Sequence, residues 1–239
     1  MAARGMIVQR MPLSNLYESL VFAVAGLALV ALIFEALTRR SYCGFGGAAL
    51  GAVFAAMGNA LPVDMTRASH AVPALQSYWL HIHVSVIMLS YSAFALSFFL
   101  SLAYLVRWLR VGSRPAAALA GGGAGPNAGG AALAGEDETL PFLERLIFRV
   151  ILVGFPLLTL GIVTGAIWAN TAWQRPWGWD PKEVWAAITW IIYAAYIHAR
   201  LIFRHRPVLF VVLALLGFVA VLFTYLGVSF LLPGLHSYA

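Results

Sequence analysis

The chain has 239 residues, 62% of them hydrophobic and 10% charged. A soluble domain carries about 25% charged residues, so this composition excludes a water-soluble globule and describes an integral membrane protein. The formal net charge of +6 does not suggest nucleic acid, because most basic residues flank apolar runs, where they orient a chain in the bilayer. The single cysteine, Cys43, excludes an internal disulfide and any CxxC redox or zinc motif.

Six apolar segments follow in chain order, each long enough to span about 30 Å of hydrocarbon. The first runs from about Tyr17 to Leu37. It is long enough to span and no typical cleavage site precedes it, so no cleavable signal peptide is expected. The second, from about Tyr42 to Leu61, is rich in Gly and Ala, which favours close helix contact. A polar stretch from Pro62 to Tyr78 leads into the third, from about Leu80 to Trp108. The stretch Ala116 to Gly135 is almost entirely Ala and Gly and reads as a flexible connection. The fourth segment runs from about Leu143 to Trp168, the fifth from Lys182 to Phe203 and the sixth from Pro207 to Leu232. The expected fold is therefore all-α and membrane-embedded, with about six helices and an external Trp-rich loop. Two helices fall in residues 1–61, and an external segment with the third helix in 62–110. A cytoplasmic Ala/Gly-rich loop occupies 111–142, and a core of three helices with an external C-terminal tail occupies 143–239.

Orientation follows from the arginines. Arg39 and Arg40, then Arg107, Arg110 and Arg114 with Arg145 and Arg149, then Arg200, Arg204 and Arg206 all fall on one side if six helices alternate. That side is expected to be cytoplasmic; Arg4 and Arg10 oppose it but are outnumbered. The N-terminus, the stretch 62–78, the Trp-rich loop and the tail then share the external face.

Six of the eight tryptophans lie between Trp168 and Trp190. The middle of that run contains Trp173, Arg175, Trp177, Trp179, Asp180 and Lys182. Scattered tryptophans would make an interfacial belt. A dense cluster beside two cations suits a large, planar, anionic ligand instead, and haem offers a macrocycle to stack and two propionates to pair. Asp180, Pro181 and Glu183 also form a helix start, with an N-cap, a proline at the first position and a capping-box glutamate.

Among the six histidines, His83 opens the third segment and His236 follows the sixth, both on the side of the Trp-rich loop. Two imidazoles from opposite faces hold a low-spin haem iron; taken singly, each is an ordinary interface residue. His198 lies about 15 residues into the fifth segment, roughly 22 Å down at 1.5 Å per residue. It is either hydrogen-bonded to a neighbouring helix or a second haem ligand within the membrane. His70 and His205 fall in polar loops, and His81 lies on a different helical face from His83.

The run Trp173 to Glu183 resembles the WWD signature of the haem-handling proteins of cytochrome c maturation. Val72 to Ser77, Trp79-Leu80, His83 to Ser85, Tyr196 to Arg200 and Gly234 to Tyr238 are similar to the CcsA (ResC) family of the System II pathway. The resemblance covers residues 72–107 and 140–239. It implies haem b as a substrate in transit, ligated at an external site by His83 and His236 and within the membrane by His198. It implies a CcsB (ResB)-like membrane partner that supplies the other transmembrane histidine, and an apocytochrome c whose CxxCH thiols receive the vinyl groups. It leaves room for thiol-reducing partners. The chain would then be a subunit of a holocytochrome c synthase (haem lyase) complex in a bacterial inner membrane, its WWD loop and C-terminus periplasmic. Two positions depart from the family: Gln174 replaces a usual Gly and Pro176 a usual aromatic residue. The competing function is a bis-histidine b-type membrane cytochrome passing electrons, which usually places both histidines in facing transmembrane helices. A secondary transporter would show an inverted repeat of broken helices, and none is visible.

Overall fold

A computed structural model describes residues 5–6, 11–67, 77–120, 138–203 and 206–235. Its described elements are helical: α1 (Leu16–Thr38), α2 (Tyr42–Ala60), the single turn α3 (Val63–Thr66), α4 (Tyr78–Ala120), α5 (Thr139–Trp173), α6 (Pro181–Ile202), α7 (Pro207–Leu222), a π turn (Phe223–Gly227) and α8 (Val228–Leu231). Among the described residues, six helices are long and apolar enough to cross a membrane, the last formed by α7, the π turn and α8 together. The protein is an integral membrane protein of the expected all-α class.

Several helix ends differ from the hydropathy reading. The third segment was expected to stop near Trp108, yet α4 continues to Ala120. Arg, Leu and Ala are good helix formers, so charge ends the apolar run without ending the helix. Residues 111–120, expected in the Ala/Gly loop, are therefore helical; 121–137 lie outside the described residues, as do His70, Arg204, His205 and His236. Similarly, α5 begins at Thr139, ahead of Leu143, and continues past Trp168 to Trp173. No Pro or Gly lies between Trp168 and Gln174, and Gln174 caps the helix in the left-handed region at φ 58° and donates its N–H to the Asn170 carbonyl.

α4 is the central element. Its apolar window is 67% buried, the highest share of the six spans, and it contacts α1, α2, α5 and α7. Its closest neighbour is α5. Gly154, Gly161 and Gly165 recur along α5 where Phe94, Ile87 and His83 of α4 approach. Small residues at such spacing let two helices meet closely without lipid between them. Four fully buried serines on α4 are each hydrogen-bonded: Ser90 donates to the Gly154 carbonyl and Ser92 to that of Ala23, while Ser97 and Ser101 donate within the helix. Inter-helix bonds of this kind contribute about 0.6 kcal/mol in membranes.

The bundle has two chemically different ends. At one, Arg200 of α6 forms an ion pair with Glu144 of α5 at 2.7 Å and lies over the rings of Phe148 and Phe210. At the other, the N-terminus of α1, the α3 turn, the start of α4, the end of α5, the start of α6 and the end of the last span converge around one cavity. The Asn15 amide donates to the Arg67 carbonyl there, and the Ser19 and Tyr225 hydroxyls meet at 2.7 Å. The described parts of the N-terminal segment, of residues 62–67, of the Trp-rich loop and of the tail up to Leu235 share this end of the bundle.

Candidate functional site

The cavity has a volume of about 830 Å³, within the ~300–1,000 Å³ of small-molecule and cofactor sites. His83 lines it from the first turns of α4. Its Nδ1 lies 2.7 Å from the Gly161 carbonyl oxygen. A carbonyl can only accept, so Nδ1 carries a proton, and in the neutral form of the ring the lone pair falls on Nε2. Metal-ligating histidines are commonly oriented by an outer hydrogen bond of this kind on the other ring nitrogen. Gly165 makes the arrangement sterically feasible, because a Cβ there would stand 2.8 Å from both Cε1 and Nδ1 of His83. Trp168 stacks parallel to the His83 ring at 6.2 Å, with an interplanar angle of 11°.

The tryptophans divide by role. Trp168 and Trp173 belong to the last turns of α5, meet edge to face at 4.8 Å and line the cavity with Trp177 of the following loop. Trp173, expected within the loop, is thus helical. Trp179 meets Trp177 edge-on at 5.9 Å but is 77% exposed and does not line the cavity. Trp185 packs on Phe223 of the π turn, and Trp190 donates to Thr159 while packing on Phe155; these two hold helices together.

The loop between α5 and α6 is ordered by two carboxylates. Glu183 accepts from the Gly178 N–H at 2.7 Å and the Asp180 N–H at 3.2 Å. Asp180 accepts from the Lys182 N–H at 3.1 Å, which completes the expected capping box around Pro181. The Arg175 guanidinium lies against Gly178, outside the residues that line the cavity. Lys182 does line it, and its Nζ donates to Ser229 of α8 at 2.9 Å.

The cavity therefore brings together His83, Trp173, Trp177 and Lys182, with Asp180 at its rim. His198 is not among them. It lies on the exposed side of α6, about 25 Å along the helix from Pro181 at 1.5 Å per residue. His236 lies outside the described residues, but its neighbour Leu235 lines the cavity, and the Leu235 N–H donates to the second Asp180 carboxylate oxygen at 2.7 Å. Several contributors were missed from sequence: Trp168 as a wall, Arg67 and Tyr225 as lining residues, and Asp180 as a contact of the tail. Of these only Trp168 carried a signal, through its place in the Trp-rich run.

The donor set suits haem better than a bare ion. Among the described residues, no group of three or more His, Cys, Asp or Glu could hold a metal ion. An iron that arrives in its own macrocycle needs only axial nitrogen, flat apolar walls and a cation for its carboxylates, and His83, the three tryptophans and Lys182 are of those kinds.

The sequence matches the family model described as Cytochrome C assembly protein over residues 13–236. The chain belongs to this family. The chain is similar to proteins named cytochrome c biogenesis protein CcsA. It is 40% identical to that of Porphyra purpurea over 95% of this chain and 78% of the relative. It is likewise 40% identical to that of Synechococcus elongatus over 100% and 82%, and 43% identical to that of Guillardia theta over 95% and 76%. The family membership gives the chain a role in the maturation of c-type cytochromes.

Proposed function

We propose that the protein receives haem b and presents it at the cavity end of the bundle for thioether attachment to the CxxCH thiols of an apocytochrome c. The observation that carries this reading is the single cavity wall in which His83, its tautomer fixed by Gly161, adjoins Trp168, Trp173 and Trp177. In this reading His83 and His236 donate to the iron from opposite faces. The tryptophans bear on the macrocycle, Lys182 faces a propionate, and Arg175 and Trp179 on the outer side of the loop contact the incoming apocytochrome or the haem edge. Each thiol adds across a vinyl group: sulfur bonds one vinyl carbon and the proton goes to the other, so no oxidant is consumed. The chain's part is positional, and it needs no catalytic cysteine.

The exposed His198 supports a transit role. A histidine facing out of α6 among apolar residues such as Ile191, Leu201 and Ile202 is costly in lipid. A CcsB-like partner packed on that face and offering its own histidine would remove the cost and complete a second haem site. The basic residues at the opposite end support a cytoplasmic assignment for that end, with the cavity on the periplasmic side of an inner membrane.

The test is a visible spectrum of the protein, purified with and without its membrane partner, as wild type and with His83, His198 and His236 changed to Ala. Removing both His83 and His236 is expected to abolish haem at the outer site and formation of holocytochrome c. Normal maturation by that double variant would overturn the mechanism. A haem that remains bound and cycles reversibly with a quinol, without transfer to a CxxCH peptide, would favour a b-type cytochrome.

A further inference from the structure

We propose, resting on the reading of His236 as an iron donor, that Asp180 is a positioning residue: its carboxylate latches the C-terminal tail to the mouth of α6 and so sets where residue 236 meets haem. Capping α6 requires one acceptor oxygen, and Asn or Ser caps as well as Asp. Asp180 uses both of its oxygens. One accepts from the Lys182 N–H at 3.1 Å and the other from the Leu235 N–H at 2.7 Å, across 55 residues of sequence. Only an ionised carboxylate among the good caps offers two acceptors pointed apart, and bonds to it are stronger than neutral ones.

The site is built for this contact. Asp180 is only 6% exposed. On the tail side, a Cβ on Gly234 would stand 2.6 Å from the same carboxylate oxygen and 3.3 Å from Pro181, so the approach depends on glycine there. Leu235 is thereby held in the cavity wall. The same loop that carries Trp177 thus also anchors the chain bearing the second candidate ligand.

The test uses the full-length protein with Asp180→Asn, Asp180→Ser and Gly234→Ala, and a His236→Ala reference. In the haem-free protein, hydrogen exchange at the Leu235 amide is expected to accelerate by about tenfold or more in all three latch variants. The Lys182 amide should stay protected in the Asn and Ser variants, which still cap α6. After loading with haem b, Asp180→Asn is expected to lose the six-coordinate low-spin spectrum and approach that of His236→Ala, with no further change in the double variant. Wild-type exchange at Leu235 in Asp180→Asn would overturn the latch. A wild-type spectrum in Asp180→Asn, where His236→Ala is altered, would overturn its role in ligation while leaving the haem reading intact. A wild-type spectrum in His236→Ala would overturn the ligand reading itself and this inference with it.

Discussion

Substituting Gly165 by Ala tests the haem-site reading without touching any candidate ligand. The added Cβ would lie 2.8 Å from Cε1 and Nδ1 of His83, whereas non-bonded carbon atoms settle near 3.5–4.0 Å. The imidazole must therefore retreat by roughly 1 Å. Its 2.7 Å bond to the Gly161 carbonyl would stretch beyond the ~3.2 Å limit of a good N–H···O bond. Losing the outer hydrogen bond of a metal-ligating histidine typically weakens metal affinity by about 10–100-fold, which corresponds to about 1.4–2.8 kcal/mol of binding energy. The assay is a haem b titration followed by visible absorbance, with the concentration of folded protein measured separately. Gly154→Ala is the control. Its Cβ would meet Phe94 at 2.8 Å in the same helix pair, away from the cavity, so it should destabilise the fold by about 1–3 kcal/mol through overpacking and leave haem affinity per folded molecule unchanged. Equal haem affinity in Gly165→Ala and wild type, or equal losses in both variants, would refute the assignment of the Gly161–His83 contact as support for a ligand.

Two further outcomes follow. Lys182→Met is expected to weaken binding of haem b by about tenfold, the worth of one charge-assisted contact in a partly dry site, but to leave binding of the haem dimethyl ester unaltered; equal losses for both ligands would show that Lys182 acts through its bond to Ser229 rather than through a propionate. Gln174→Gly is expected to raise stability by about 1 kcal/mol, since Gln174 holds φ 58° at the end of α5 and glycine takes that conformation without the Cβ penalty; a lower unfolding midpoint in detergent would contradict this account.

The spans were legible because each needs some twenty consecutive apolar residues, and hydropathy reports where lipid begins and ends. It does not report where a helix ends, which is why α4 runs on through Arg107 and Arg110 and α5 takes in Trp173. The start of α6 was legible to the residue, since Asp180, Pro181 and Glu183 act through neighbours no more than five positions away. The assembled cavity was not. His83 and Gly161 are 78 residues apart, and Asp180 and Leu235 are 55 apart. Nothing local to either partner encodes the meeting. The family resemblance supplied the residue types, and the glycines of α5 show how the distances are reached. The usual glycine at the position of Gln174 also gains a reason, because the backbone there is left-handed.

The π turn at Phe223–Gly227 sets a rotational phase. An α-helix advances about 100° per residue, and a π turn is the signature of one residue accommodated in excess. Everything beyond it is therefore turned by about a third of a revolution relative to an uninterrupted helix. Ser229, one turn further on, reaches Lys182 in that rotated frame, and the tail residues Gly234 and Leu235 leave the helix from it. The last span behaves as a dial with one extra notch. Deleting a single residue within 223–227 would leave its hydropathy almost untouched, yet would rotate the tail away from the cavity.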